Sequence, residues 1–522
     1  MTPLYPLDLL APGFRGLNTE QANGLLDSAW ATIASNATID TYGRLSSRKG
    51  YSNVTTTPVG GSPAIKTVFE QIAKDTTRTI ICAWNGGIGT GISNPSGSSV
   101  AGAVTVTDGN WWFQNFNNKV VGFQNGQKPI VRTTGNFATV VETSGTAPTI
   151  ADGVGLCAYG RVWGLDSDRQ TIKYSGLLDE TAWSTGAGSI DMSNVWTTGT
   201  DHVTAIAAFN GRFIVFGHRH IVIWSDNTGS QLGINPTNMV VVDVITGTGC
   251  ESQWSIQSLG EADLMFVSVH GLQSLGRVIQ EKSAPVGTYT SPVASAFRLT
   301  MTQQTDKKLI RSVVDPVRGL YILTLPTAGT TWVFHMSRPF VSADFKHSTS
   351  VGEHEVLFPI TQWTLVPNAW CYSTGLGVVY LGGSGIVGQY AGADNDNGTN
   401  FTFDYESPYL AVSDELASRW KVMKQIGAVI FTQAQTDVIF RWDFDFKGVF
   451  SSKTKTFSSA SSAEWGTAQY NISEWSGGVT LRVFKFPAYG EGQYIKIGVR
   501  AVVTTAVAIQ QIDLLMKIGK TA

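Results

Sequence analysis

The sequence predicts a mainly β chain: a β-propeller-like repeat of six or seven sheets, with an N-terminal arm before it and a C-terminal β-sandwich after it. Three observations predict this. A turn residue, a glycine and an apolar strand recur along the chain, the composition favours strands and tight turns over helices, and the recurrence stops at a polar loop near residue 394.

The recurrence comes first, because a fixed period sets the whole architecture. It reads Tyr159-Gly160-Arg161-Val162-Trp163, then Asn210-Gly211-Arg212-Phe213-Ile214, then His270-Gly271-Leu272, Arg318-Gly319-Leu320-Tyr321 and Leu376-Gly377-Val378-Val379. Successive glycines lie 51, 60, 48 and 58 residues apart. Weaker copies precede them at Asn85-Gly86 and Asn118-Lys119-Val120. In two units a second strand follows at a fixed offset, Ile172-Lys173-Tyr174-Ser175 and Ile221-Val222-Ile223-Trp224-Ser225, ending 14 and 13 residues after its arginine. A unit of roughly 40–60 residues with about four short strands has the length of a propeller blade, and packing such sheets face to face hides most of their edges. Residues 61–395 hold this repeat; a pair of sandwiched sheets is the alternative arrangement.

Composition agrees. Charged residues are 15% of the 522, against roughly 25% in an ordinary globular chain, and the deficit is filled largely by 56 glycines with Ser, Thr and Asn. Such a mixture disfavours helices. The net charge of −2 lacks the basic excess that phosphate binding demands. Cys82, Cys157, Cys250 and Cys371 are too scattered for a metal or disulfide framework and read as free thiols. Met1–Leu10 has no signal-peptide pattern, and the most apolar stretch, 499–516, is broken by Arg500, Gln510, Gln511 and Asp513, so a soluble chain without a membrane span is expected.

In chain order, residues 1–60 form the arm and platform contacts, with a short helix expected near Gln21–Trp30. Val104–Thr107 reads as a strand closed by the Asp108-Gly109 turn, and a meander through Trp111–Phe113, Val120–Phe123 and Ile130-Val131 follows. Asp394–Gly398 marks the boundary. The C-terminal β-rich domain, 396–522, opens with one short helix at Ser413–Trp420 capped by Ser413 or Asp414. In Trp442-Asp443-Phe444-Asp445-Phe446 the alternation predicts a strand with one buried and one wet face.

No segment carries a convincing catalytic, cofactor or metal site, so catalytic, cofactor-binding and metal residues are each assigned as none. Gly86–Gly91 resembles a phosphate cradle but no helix can start after it, which leaves a surface loop. Gly519-Lys520-Thr521 lacks the upstream glycine of a P-loop. Asp394–Gly398 resembles a calcium loop with its glycine one place early and no flanking helices. His218 and His220 share a strand face without a third ligand. Ser225–Gly229 lacks the spacing of a sialidase Asp-box. The many carboxylates single out no glycosidase pair, and no GxSxG, HExxH or Cys/His signature occurs.

A resemblance adds to this. Pro12-Gly13-Phe14-Arg15-Gly16-Leu17-Asn18, Ala34-Ser35-Asn36-Ala37, Gly43-Arg44-Leu45 and Arg48-Lys49-Gly50-Tyr51 occur in that order. They are followed by Tyr174-Ser175-Gly176-Leu177 with Trp183, Ala208–Arg212 with Val215-Phe216, Asp263–Phe266 with Gly271-Leu272, and the closing strand 512–520. This succession resembles the tail nozzle proteins of short-tailed, podovirus-like bacteriophages, also called tail tubular protein B. The resemblance implies a non-enzymatic structural virion protein without cofactors, assembled in the host cytoplasm into the virus tail. It implies a homohexamer below a tail adaptor ring, enclosing and gating the channel for genome ejection and host cell entry. Its partners would be further copies of itself, the adaptor ring, tail fibre or spike proteins, and double-stranded DNA in transit. Two other readings compete: a phage-tail propeller adhesin that binds host glycan through exposed tryptophans such as Trp111 or Trp183, and a tail-borne glycan hydrolase.

Overall fold

The computed structural model describes residues 4–95, 104, 106–226, 234–260, 262–281, 288–342, 355–412, 416–432, 435–457 and 480–521. Within them the chain is mainly β, with many small sheets and no closed barrel; its α-helices are Leu275–Glu281 and Ala294–Gln303.

Seven small antiparallel sets of three or four strands, called sheets 1 to 7, follow one another; a two-stranded ribbon, Phe340–Ser342 with Glu355–Leu357, projects from the sixth. Sheet 1 comprises Ile65–Ile72, Arg78–Trp84 and Gly87–Thr90. Sheet 2 runs from Trp112–Phe116 through Lys119–Phe123 and Ile130–Arg132 to Ala138–Thr139. Sheet 3 comprises Gly155–Ala158, Arg161–Leu165, Thr171–Tyr174 and Gly188–Asp191; sheet 4 comprises Val203–Phe209, Arg212–Gly217, His220–Asp226 and Met239–Thr246. Sheet 5 is Gln257–Ser258, Leu264–Ser268 and Gly271–Ser274, and sheet 6 is Arg311–Asp315, Leu320–Leu325, Thr330–His335 and Ile360–Trp363. Sheet 7 comprises Ala369–Ser373, Val378–Gly382 and Val387–Tyr390, and takes its fourth strand, Tyr51–Asn53, from the beginning of the chain.

Their central strands are apolar on both faces, and alternate residues feed different cores. On the second strand of sheet 4, Phe213 and Val215 pack toward Trp163 and Ile172 of sheet 3, while Ile214 and Phe216 pack toward Phe266 of sheet 5. The pattern continues around. Sheets 1 and 2 share Ile81 and Phe113, sheets 2 and 3 share Val121 and Val162, and sheets 5 and 6 share Met265 and Tyr321. Sheets 6 and 7 share Val313 and Val379, and sheets 7 and 1 share Cys371 and Cys82. Each buried Val, Ile or Phe is worth about 1.5–3 kcal/mol, and every sheet buries such residues against both of its neighbours.

Beyond residue 400 the strands lengthen. Arg419–Thr432, Thr480–Gly492 and Val507–Thr521 form a sheet edged by Leu4–Leu10. It faces Phe401–Glu406, Ile495–Val503, Thr436–Phe444 and Ser451–Phe457 across a core containing Ile426, Ile430, Leu514, Tyr405, Phe440 and Val499. Strand Ile33–Ser35 splices the two regions. It pairs parallel to the outer strand of sheet 6 and antiparallel to Phe401–Glu406, making one nine-stranded sheet.

Several local expectations are corrected. Gln21–Trp30 contains turns and no helix; Asn18 caps the N–H groups of Glu20 and Gln21, and nothing propagates the turn. For Ser413–Trp420, residues 413–415 lie outside the described residues, and Arg419 already starts a strand. Val104 and Val106 are not in a strand, and Thr105 lies outside the described residues. Asp108-Gly109 is a crossing point: Lys66 pairs with Asp108 at 2.8 Å, and a Cβ on Gly109 would meet the backbone of Trp84 at 2.5 Å. Gly87–Thr90 is the third strand of sheet 1, because glycine is the residue that fits beneath the Trp84 ring. Asp443 is buried: its carboxylate accepts from the Tyr409 hydroxyl at 2.5 Å and from Gly448 N–H at 2.8 Å.

Candidate functional site

Two places gather polar and aromatic side chains: the space that the first strands of the seven sheets surround, and the junction of the N-terminal arm with the rest.

The first strands touch in order. Ile65–Ile72 meets Trp112–Phe116, which meets Gly155–Ala158, which meets Val203–Phe209. Val203–Phe209 meets the 3-10 turn Gln253–Ser255 ahead of sheet 5; Gln257–Ser258 meets Arg311–Asp315, which meets Ala369–Ser373, which returns to Ile65–Ile72. They enclose a cavity of about 1320 Å³. At one end lies Arg311, 5% exposed. Its guanidinium donates to the carbonyls of Lys66 (3.2 Å), Lys308 (2.7 Å) and Ile310 (2.8 Å) and to Asn110 Oδ1, and it lies 4.3 Å over the Trp254 ring. Burial pushes its pKa down to about 9, opposed by the nearby Asp108 and Asp306 carboxylates, so it stays charged at neutral pH. Trp112 meets Trp254 edge to face at 4.9 Å. Glu70 on the wall accepts from Arg78 (3.0 Å), Ser373 Oγ (2.6 Å) and Thr374 N–H (3.0 Å).

The junction is built from the residues that carry the family resemblance. Arg48 is 1% exposed and holds Asp396 through two bonds of 2.7 Å. It also donates to Asn36 Oδ1 at 3.0 Å and lies 3.8 Å over Phe401. Asn36 sits at φ +51°, a left-handed conformation that asparagine tolerates. From there its amide reaches Thr402 O (2.8 Å) and accepts from Thr364 N–H (2.9 Å). Lys49 pairs with Asp394 at 2.6 Å. Gly16, at φ +79°, leaves no space for a Cβ against the backbone of Ile360, and at Gly13 a Cβ would stand 2.8 Å from the Tyr405 ring. The loop that resembles a calcium site therefore spends both of its carboxylates on Arg48 and Lys49.

The other tested residues separate. His220 is buried against Asp201 (2.8 Å) and Thr198 (2.9 Å), whereas His218 pairs with Glu251 at 3.2 Å. Glu251 raises the His218 pKa; burial and the neighbouring His218 lower that of His202. Among the described residues no three His, Cys, Asp or Glu side chains are placed to hold a metal ion, and no helix is long and apolar enough to cross a membrane. Asp404 and Glu406 share a strand face, and Arg441, Arg500 and Lys496 pair with them as a charged brace. Trp111 and Trp183 are buried, 0% and 7% exposed, which removes them as exposed sugar platforms. Residues 227–229 of the tested Asp-box lie outside the described residues. All four cysteines are free, with Cys82, Cys250 and Cys371 buried. Sequence reasoning missed Arg311 and the cavity wall, because each first strand supplies only a few of the lining side chains.

No protein-family model matches the chain, and no curated protein does. Among solved structures it is similar to the computationally designed Ika8 protein, at 9% identity and a TM-score of 0.34, covering 64% of this chain and 99% of that one. It is also similar to the extracellular domain of the putative one component system BT4673 from B. thetaiotaomicron, at 10% identity and a TM-score of 0.37. That match covers 88% of this chain and 61% of that one. A match to the Mitotic Checkpoint Complex has 7% identity and a TM-score of 0.36, covering 66% and 93%. At these scores the likenesses carry no function across.

Proposed function

We propose that the seven sheets are the blades of a seven-bladed β-propeller, and that the chain is a structural subunit of a phage tail nozzle. The propeller reading is supported by seven inter-sheet contacts in cyclic order, six in separate cores and the seventh in the core shared with the C-terminal layers, and by Tyr51–Asn53, which supplies the outer strand of the last sheet as a ring closure. A face-to-face pair of sheets would not generate such a cycle.

The nozzle reading is carried by one observation: the resembling residues, scattered from Gly13 to Gly50, converge on one buried junction that ties the seven sheets to the C-terminal layers. A wall subunit of a genome conduit needs such a rigid tie more than it needs a reactive centre. On this reading copies of the chain form a ring, a homohexamer in the resembling family, beneath an adaptor ring; DNA passes through the shared pore, and fibres or spikes dock outside. A net charge of −2 suits a surface that DNA must leave. Electron microscopy of the purified chain, alone and with the adaptor ring, tests the assignment. A ring with an axial pore is expected, and monomers under both conditions would refute it.

A further inference from the structure

The cavity between the first strands has features that neither a conduit wall nor a packed core requires. Its volume of about 1320 Å³ exceeds the roughly 300–1,000 Å³ of ordinary small-molecule pockets. Its lining includes aromatic side chains that are only partly buried, Trp112 from sheet 2 and Tyr372 from sheet 7. The Trp112–Trp254 pair and Arg311 give one end of the space an aromatic floor.

The polar groups on the wall divide sharply. The ionised ones are engaged: Lys66 with Asp108, and Glu70 with Arg78 and the Ser373 hydroxyl. Arg311 is surrounded by carbonyls, with Asp108 and Asp306 close enough to favour its charge. The amides keep capacity to spare. Gln114 uses its Oε1 to accept from Cys157 N–H, and Gln257 uses its Nε2 on Ser312. Among the described residues, Gln114 Nε2 and Gln257 Oε1 take no partner. A donor and an acceptor are thus left open, from sheets 2 and 5, on a wall whose charges are already matched.

A ligand that suits this wall carries hydroxyl groups for the two amides and an apolar ring face for Trp112 and Tyr372, and has no net charge. We propose that the cavity binds a neutral saccharide, with Trp112 as the stacking surface and Gln114 and Gln257 as hydrogen-bonding contacts. This places sugar recognition inside the ring of sheets instead of at Trp111 or Trp183. It rests on the cavity alone, so it stands or falls separately from ring assembly.

The test uses the full chain in saturation-transfer NMR and calorimetry against cellobiose, maltose, lactose and chitobiose, with glucuronate and sialyllactose as acidic comparators. At least one neutral sugar should receive saturation at its ring C–H groups. The double variant Gln114→Ala/Gln257→Ala should weaken it about tenfold, about 1.4 kcal/mol, while unfolding stays cooperative at a transition lowered by the lost bonds to the Cys157 N–H and Ser312; Trp112→Ala should abolish it. The double variant keeps the test decisive where loss of Trp112 disturbs packing with Trp254. The proposal is overturned if none of the neutral sugars binds at millimolar concentration, if an acidic comparator is preferred, or if binding survives the double variant undiminished.

Discussion

Replacing Arg48 by methionine probes the junction most directly. The side chain is fully buried, so methionine keeps most of its volume and removes only the guanidinium. Two bonds to Asp396, one to Asn36 and one to the Lys49 carbonyl are lost. Removing one partner of a buried pair costs about 3–5 kcal/mol, because the other charge is stranded. The Asp396 side chain keeps 20% exposure, so water recovers part of its solvation and the lower end, about 3 kcal/mol, applies. The double variant Arg48→Met/Asp396→Asn should recover part of this, with a coupling of about 0.5–3 kcal/mol. Urea unfolding followed by tryptophan fluorescence measures the loss. Hydrogen exchange across 33–53 and 387–396 should accelerate in the single variant. A loss below about 1 kcal/mol, or strict additivity in the double variant, would refute the role given to this pair.

Three further outcomes follow from single sites. Gly16 and Gly211 both lie at positive φ, but only Gly16 also lacks room for a Cβ. Gly211→Ala should cost about 1–2 kcal/mol of backbone strain, and Gly16→Ala about 1–3 kcal/mol more; equal losses in thermal unfolding would contradict this. His335 is buried, with its pKa pushed down to about 3 by desolvation and the nearby Arg338. As pH falls below about 6.5 the unfolded chain takes a proton that the native chain refuses, so stability drops, by up to about 1.4 kcal/mol per pH unit, until pH passes below the native value. His335→Gln should flatten that decline between neutral pH and about pH 5, and parallel slopes in the two proteins would count against it. The Cys82 and Cys250 thiols are pushed up to about 12 by burial, so alkylation should spare both in the native chain and reach all four cysteines after unfolding; labelling of either in the native state would contradict their placement.

What was legible in the sequence was the chemistry of turns. Tyr159-Gly160 and Asn210-Gly211 have both residues at positive φ, the requirement of a two-residue hairpin with the twist of its strands, and each joins the first two strands of its sheet. The recurring second strands, ending at Ser175 and Ser225, occupy the same third-strand position in sheets 3 and 4. The helix Ala294–Gln303 was missed although Pro292 precedes it and Phe297 and Met301 sit one turn apart, because the short apolar run around it reads equally as strand. The junction was half legible. Its glycines and arginines stood out, but the partner of Arg48 lies 348 residues away, and no local pattern reports such a contact.

The N-terminal segment behaves as a set of strands lent to distant parts, and this makes a definite claim about folding units. Leu4–Leu10 pairs with residues 511–517, Ile33–Ser35 with 404–406, and Tyr51–Asn53 with 388–390. A fragment of residues 61–395 holds all seven sheets yet lacks three things. Sheet 7 loses its outer strand, the outer strand of sheet 6 loses Ile33–Ser35, and the Trp363 indole loses its 2.7 Å bond to the Ala37 carbonyl. Uncovered strand edges and an unpaired buried donor are both destabilising. The fragment should therefore aggregate, or bind a hydrophobic dye and unfold without a cooperative transition. Restoring residues 51–60 should protect sheet 7 in hydrogen exchange while sheet 6 stays labile. A cooperative transition for 61–395 at the midpoint of the full chain would show that the segment is an accessory. The opposite outcome means that the seven sheets and the C-terminal layers close together, because each waits on strands whose partners lie hundreds of residues away and whose loop-closure entropy must be overcome first.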